Sequence, residues 1–451
     1  MTDAIPLALS STSPASAGQD RLPWRLGLVG GLVLPMIAAA LYATYEIAMR
    51  SPWLEETRQL GYLWLLAEIG FIFHAMRHGF RLHDVWAGLP RWARIAVALF
   101  LLSFWISSAF VSPYPGFSLG LTVGWAIQLL FAAALSQRLA HVPVARLEEI
   151  WPGFAIGLAA LALVIAVHFV WLPAALRGQE HSIDWGNAIP GFISVRLFGS
   201  WCGAVLALLT GVAWHEHGDP RRRHLLYLAL ALAFGMTFWS ATRAALLGWL
   251  CILPVAWAMA GAPRSRSMAT VLPVYLLAGA VMAVWLQPYH HPSFTLFDAF
   301  NPDVNRSADS FSSGRLTFWR ASLDVARHYP LLGAGAGSSW WAVPLAEQHH
   351  VQPHNAVVQF LLNWGIIPTL PALTLLVGGT MAVHRRARSE QALLPFVLML
   401  DCLLLMSLLD GMLHFAQFIM LSAGCFAVCL AAPRRAIDRR AEPERAGAPV
   451  L

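Results

Sequence analysis

The sequence predicts an all-α polytopic membrane protein of about 12 transmembrane helices, with one large outer loop that carries amphipathic helices. Three observations carry that reading. The 451 residues are 58% hydrophobic and only 12% charged, with a mean hydropathy of +0.59, whereas a soluble domain holds roughly twice that charged share. Apolar runs of roughly 20 residues, each enough to cross a bilayer, recur along the chain. Between them, arginines gather in every second connection, as the inside bias of basic loops requires.

Taken in order, residues 1–25 are Ser/Ala/Pro-rich and acidic-poor, with no cleavage pattern after the first apolar run. They read as a flexible cytoplasmic tail. Spans fall near 26–48, 60–76, 95–111, 118–135, 152–173, 193–214, 224–241, 244–261 and 268–286, so that 26–286 holds the first nine. Residues 287–354 are too polar to cross a bilayer and too long for a simple connector. Spans near 355–382, 391–411 and 414–432 fill 355–432, and 433–451 is a basic tail.

Orientation follows from the arginines. Arg21 and Arg25 precede the first span, and Arg77, Arg81, Arg91 and Arg94 flank the loop after the second. Arg138 and Arg146, Arg221 to Arg223, Arg264 and Arg266, and Arg385, Arg386 and Arg388 follow the even-numbered spans, with Arg434, Arg435, Arg439 and Arg440 in the tail. With both termini inside, all of them face the cytoplasm. The net charge of +6 is built wholly from arginine, because the chain has no lysine. Arginine keeps its charge in partly buried sites and grips phosphate through a planar fork. The five cysteines lie in apolar runs and read as small core residues, without disulfide or metal spacing.

Three arginines break the inside bias. Arg196, Arg243 and Arg315 fall on the outer side, at or near the ends of apolar runs. A charge there is costly unless it is paired or faces a wet cavity. Each could snorkel to headgroups, or act as an anion clamp helped by a helix N-terminus. Converging on one cavity, the three would match a doubly charged pyrophosphate. Arg315 opens a stretch in which Ser312 or Ser313 can cap a helix, Leu316, Trp319, Leu323 and Val325 form an apolar face, and Arg320 and Arg327 face solvent.

His354 closes the loop where the next apolar run begins. It could be an ordinary polar cap. Its company suggests more: Pro353 sets the approach, Asn355 can cap, and Gln359 lies one turn along. Histidine titrates near working pH, and a helix N-terminus favours its neutral form, which is the form a base requires. Asp184, Asp298, Asp303, Asp309, Asp324 and Glu347 are alternative bases, none in a recognisable pair. GAGAG at 333–337 follows no strand and reads as a turn, and no phosphate-cradling or metal-binding motif appears. His168, Asp401, Asp410 and His414 fall in or beside apolar runs. As a facing proton relay, His168, Asp401 and Asp410 would make the chain a transporter or flippase.

SGRLTFWRASLDVARHYPLLGAGAGS followed by HNAVVQFLLNWG resembles the O-antigen ligase and polymerase superfamily. VRLFGSW is similar to its Arg-x-x-Gly segment and SATRAALLG to its Ser-x-x-Arg segment. After Gly199 the chain reads SWCGAV, where relatives often continue into Asn-Pro-Asn. The resemblance implies a GT-C-like glycosyltransferase of the bacterial inner membrane, with its active site in the periplasmic loop and no cofactor, metal, nucleotide or nucleic acid. Arg196, Arg243 and Arg315 would then bind the pyrophosphate of an undecaprenyl-linked glycan donor. His354 would activate the acceptor hydroxyl, with Asn355, Gln359 and Trp319 in support. Within the superfamily the single large outer loop and basic tail look most like an O-antigen ligase acting on lipid A–core. O-antigen polymerase and protein O-oligosaccharyltransferase are the alternatives.

Overall fold

The computed structural model describes residues 21–45, 62–171, 191–192, 194–216, 219–285, 312, 314–344 and 352–431. Among them, helices form where the sequence runs apolar, and no strand occurs. α1 (Leu22–Leu28) has Pro23 in its first turn, where a missing N–H costs nothing. It runs through a π turn at Val29–Val33 into α2 (Leu34–Tyr45). α3 (Tyr62–Arg77) and the short α4 (Leu82–Gly88) lead to α5 (Arg91–Ile106), and α6 (Pro115–Leu139) returns. α7 (Trp151–Trp171) follows a 3-10 turn at Val144–Ile150. Next come α8 (Val195–His215), α9 (Pro220–Trp239), α10 (Arg243–Ala260), α11 (Arg266–Thr270) and α12 (Leu272–Trp285). The long loop contributes α13 (Arg315–His328) and α14 (Ser339–Ala342). The chain then builds α15 (Ala356–Trp364), α16 (Ile366–Ser389), α17 (Leu394–Asp410) and α18 (Ala416–Ala431).

α8 is the axis of the bundle. Its apolar span is wholly buried, with α9, α10 and α17 packed around it. Lipid is as apolar as the helices, so association rests on close packing of small residues rather than on a hydrophobic drive. Gly27 and Gly31 face Gly153 and Gly157 across the pairing of α1 with α7, and a Cβ at most of these positions would strike the opposing backbone.

Nine helices among the described residues are long and apolar enough to cross a membrane, against the 12 the sequence leads one to expect. The other three expected runs are helical too. α3 and α18 have 16 residues each, and α9 opens on Arg221, Arg222 and Arg223.

One expected span is divided. The run near 355–382 breaks at Gly365, where φ is 69°, into a nine-residue half-helix and a full one. The break holds because the orphaned carbonyls at the end of α15 find donors. Ala334 and Gly335 donate their N–H groups to Leu362 and Asn363, each at 2.9 Å. The GAGAG turn therefore serves as the C-terminal cap of a half-helix.

α13 begins at Arg315, after Gly314 with φ 77°, so neither expected serine is the cap residue itself. The Ser312 hydroxyl does accept the Leu316 N–H, at 3.4 Å, and Ser313 lies outside the described residues. Arg320 and Arg327 are exposed, as expected. Four cysteines are buried, but Cys251 faces outward.

Candidate functional site

The tight turn between α9 and α10 anchors the arginines. Ser240 and Thr242 share a hydroxyl contact of 2.8 Å, and the Thr242 hydroxyl donates to the Arg196 carbonyl at 3.3 Å. Gly199, one turn into α8, makes this approach possible, since a Cβ there would strike both hydroxyl oxygens. The Ser194 side chain caps α8 by accepting the Leu197 N–H at 3.2 Å, which places Arg196 in the first turn. Arg243 is the first residue of α10. Between the two lies Ala241, with φ 51°, one of two non-glycine residues with positive φ among those described. Such a conformation persists only where its surroundings impose it.

The other such residue is His354, with φ 53°. Three contacts hold it there. The buried Gln352 accepts the His354 N–H through Oε1 at 3.2 Å, and the Trp319 indole N–H donates to the Pro353 carbonyl at 2.6 Å. Asn355 caps α15 by accepting the N–H groups of Val357 and Val358, at 2.9 and 3.1 Å. Its amide also donates to the Leu408 carbonyl at 2.9 Å, tying the start of α15 to the end of α17.

Asp410 closes α17 and organises the rest. One oxygen, Oδ1, lies 2.8 Å from the Arg315 guanidinium and 3.2 Å from His354 Nδ1. A carboxylate can only accept, so the imidazole proton sits on Nδ1 and Nε2 carries the lone pair. The Gln352 amide nitrogen, also 3.2 Å from Nδ1, donates instead to the Asp410 carbonyl at 3.4 Å. Gly411 follows with φ 64°, and a Cβ there would collide with Gln352 Oε1. The Asp410 side chain is 6% exposed, Arg315 18% and His354 31%.

The structure thus brings Arg196, Arg243, Arg315 and His354 together. Arg243 lies within electrostatic reach of Arg196 and Arg315, and Arg196 within reach of Asp410 and Arg315. Each arginine sits in the first turn of a helix of at least 14 residues, where backbone N–H groups add positive potential. Arg196 is exposed to solvent. Among the described residues, three guanidinium groups stand near one carboxylate, an arrangement suited to a polyanionic ligand.

Some expectations fall elsewhere. The buried amide nitrogen of Gln359 donates to His414 Nδ1 at 2.9 Å. Burial, with the nearby His354 second, pushes the His414 imidazole from its usual 6.5 down to about 3. Asp324 pairs with Arg327 on the exposed face of α13, away from His354. Asp184, Asp298, Asp303, Asp309 and Glu347, and the side chain of His168, lie outside the described residues. Asp401 and Asp410 do not form a facing relay, because Asp401 pairs with His384 at 2.9 Å while Asp410 serves Arg315 and His354. In the sequence Asp410 stands out only as an ionisable group beside an apolar run, with His168 and Asp401 as relay partners in the transporter alternative. Gln352 carried no signal at all.

The described residues form a polytopic helical bundle in which three arginines stand near a histidine that is paired with a carboxylate. Residues 228–373, which include Arg243, Arg315 and His354, match the family described as O-antigen ligase. That match indicates a glycosyltransferase-like ligase/polymerase and supports membership of the O-antigen ligase/polymerase superfamily. No curated protein matches the chain.

Proposed function

We propose that the protein transfers O-antigen polysaccharide from undecaprenyl pyrophosphate to a sugar hydroxyl of lipid A–core, at the periplasmic face of the inner membrane, with inversion and without a metal. The observation that carries this reading is the Asp410–His354 pair beside three arginines. The acceptor hydroxyl gives its proton to His354 Nε2 as its oxygen attacks the anomeric carbon. The bond from that carbon to the pyrophosphate oxygen breaks, and the electron pair leaves with undecaprenyl pyrophosphate. Arg196, Arg243 and Arg315 bind that pyrophosphate and stabilise its departing charge. Asp410 holds the tautomer and steadies the imidazolium that forms, a role separate from proton removal. Asn355 and Trp319 fix the backbone on either side of the base.

Purified protein, undecaprenyl-pyrophosphate glycan and lipid A–core, combined in EDTA, test the proposal. Wild type should yield glycan-bearing lipid A–core and His354→Ala should not. Undiminished transfer by the mutant removes His354 as the base. Longer donor-linked glycans without a lipid A–core product assign the chain to polymerisation, and glycosylated protein acceptor assigns it to protein O-glycosylation.

A further inference from the structure

The end of the bundle opposite the arginine–histidine cluster holds an apolar recess. α8 and α17 carry Arg196 and Asp410 at one end. Near their other ends, with α1, α3, α6, α7 and α18, they line a cleft of about 130 Å3. Leu26, Phe71, Phe131, Phe154, Met399 and Gly424 are among its walls, and no charged or amide side chain lines it.

The mouth is the reverse. Arg25 adjoins Leu26, His74 follows Phe71 by one turn, and Arg138 follows Leu135 by one turn. Arg25, Arg77, His78 and Arg138 all lie within electrostatic reach of His74. The His74 and His78 rings stand 4.2 Å apart. Arg81 donates its N–H to Gln137 Oε1 at 3.1 Å, which pins the segment after α3 beside the end of α6. Arg138 Nε is buried with no hydrogen-bond partner among the described residues. Of the acids nearby, Glu149 pairs with Arg146 at 2.8 Å and Glu148 with Arg222 at 2.9 Å, while Glu68, next to Ala67 of the wall, is buried with neither carboxyl oxygen hydrogen-bonded among the described residues.

We propose that this cleft and its cationic mouth bind one anionic phospholipid, with an acyl chain among the apolar side chains and the phosphate at Arg25, Arg77 and Arg138. A neutral lipid would suit the cleft but leave the cations unanswered, and a soluble phosphate would do the opposite. Only an amphiphile with a negative head satisfies both halves. Held there, it staples α1, α3 and α6 at the end of the molecule away from the chemistry.

Native mass spectrometry of the purified full-length protein, titrated with phosphatidylglycerol or phosphatidylcholine, tests this. Wild type should retain one phosphatidylglycerol with a preference of about tenfold or more over phosphatidylcholine. The double variant Arg25→Gln/Arg138→Gln should bring the two lipids to near parity while still binding both. Gly424→Phe should lose both, because a Cβ at Gly424 meets nothing within 4 Å and the ring would fill the cleft. Equal retention of the two lipids by wild type, or retention of neither, overturns the proposal. So does a phosphatidylglycerol preference undiminished in the double variant, which decides the matter even where Gly424→Phe does not fold.

Discussion

At the scale of the residue, His354 and Asp410 act as a unit set by backbone geometry. Replacing Asp410 with asparagine keeps the volume but removes the charge that accepts from Nδ1 and pairs with Arg315. We expect kcat for glycan transfer to fall by roughly 10^2–10^4-fold, with the fold preserved by circular dichroism. Gly411→Ala adds a Cβ against Gln352 at a left-handed position. That should cost about 1–2 kcal/mol from the backbone alone and lower kcat by displacing His354. His414 bears on stability instead. Its folded value of about 3 lies below the ordinary 6.5, so the unfolded chain takes up a proton between those values and the folded chain does not. The stability from neutral His414 is complete above pH 6.5 and is lost as the pH falls below it. Thermal unfolding from pH 8 to 4 should show a shallower acid decline for His414→Gln than for wild type.

At the scale of the element, the two family-like segments make one structural unit. The glycine of the first admits the hydroxyls of the second, and Thr242 ties that turn to the Arg196 carbonyl. Gly199→Ala should part α8 from the turn and raise KM for the lipid-linked donor more than it lowers kcat, which steady-state transfer kinetics would separate. α3 presents a different case. Glu68 is fully buried, and neither carboxyl oxygen has a hydrogen-bond partner among the described residues. Glu68→Leu removes both orphaned atoms and should stabilise the bundle by about 1–3 kcal/mol, read as a higher melting temperature in detergent.

For the whole molecule, the arginine-bearing helix ends and the arginine–histidine cluster should lie on opposite sides of the membrane. On a background without native cysteines, Arg320→Cys on α13 should react with an impermeant thiol reagent added outside intact inner membrane, and Ser389→Cys at the end of α16 should react only after permeabilisation. The reverse pattern would invert the topology and place the proposed chemistry in the cytoplasm.

Hydropathy and arginine spacing made the helical membrane character legible, because a bilayer admits few backbone solutions and each leaves a long apolar run. Arg196, Arg243, Arg315 and His354 stood out in the sequence for the same reason: charge beside apolar runs is costly unless used. The break at Gly365 was hidden, since a half-helix capped by a distant glycine turn has the same apolar composition as a span. Asp410 was visible only as an ionisable residue, and Gln352 and the true partner of Gln359 not at all. These assignments depend on which helix ends meet. By itself the sequence determined the class of protein and its chemically exceptional residues, through local rules of length, polarity and charge. Tertiary structure alone decided that three helix N-termini and the end of α17 meet, because that meeting depends on glycine-mediated contacts between segments far apart in the chain.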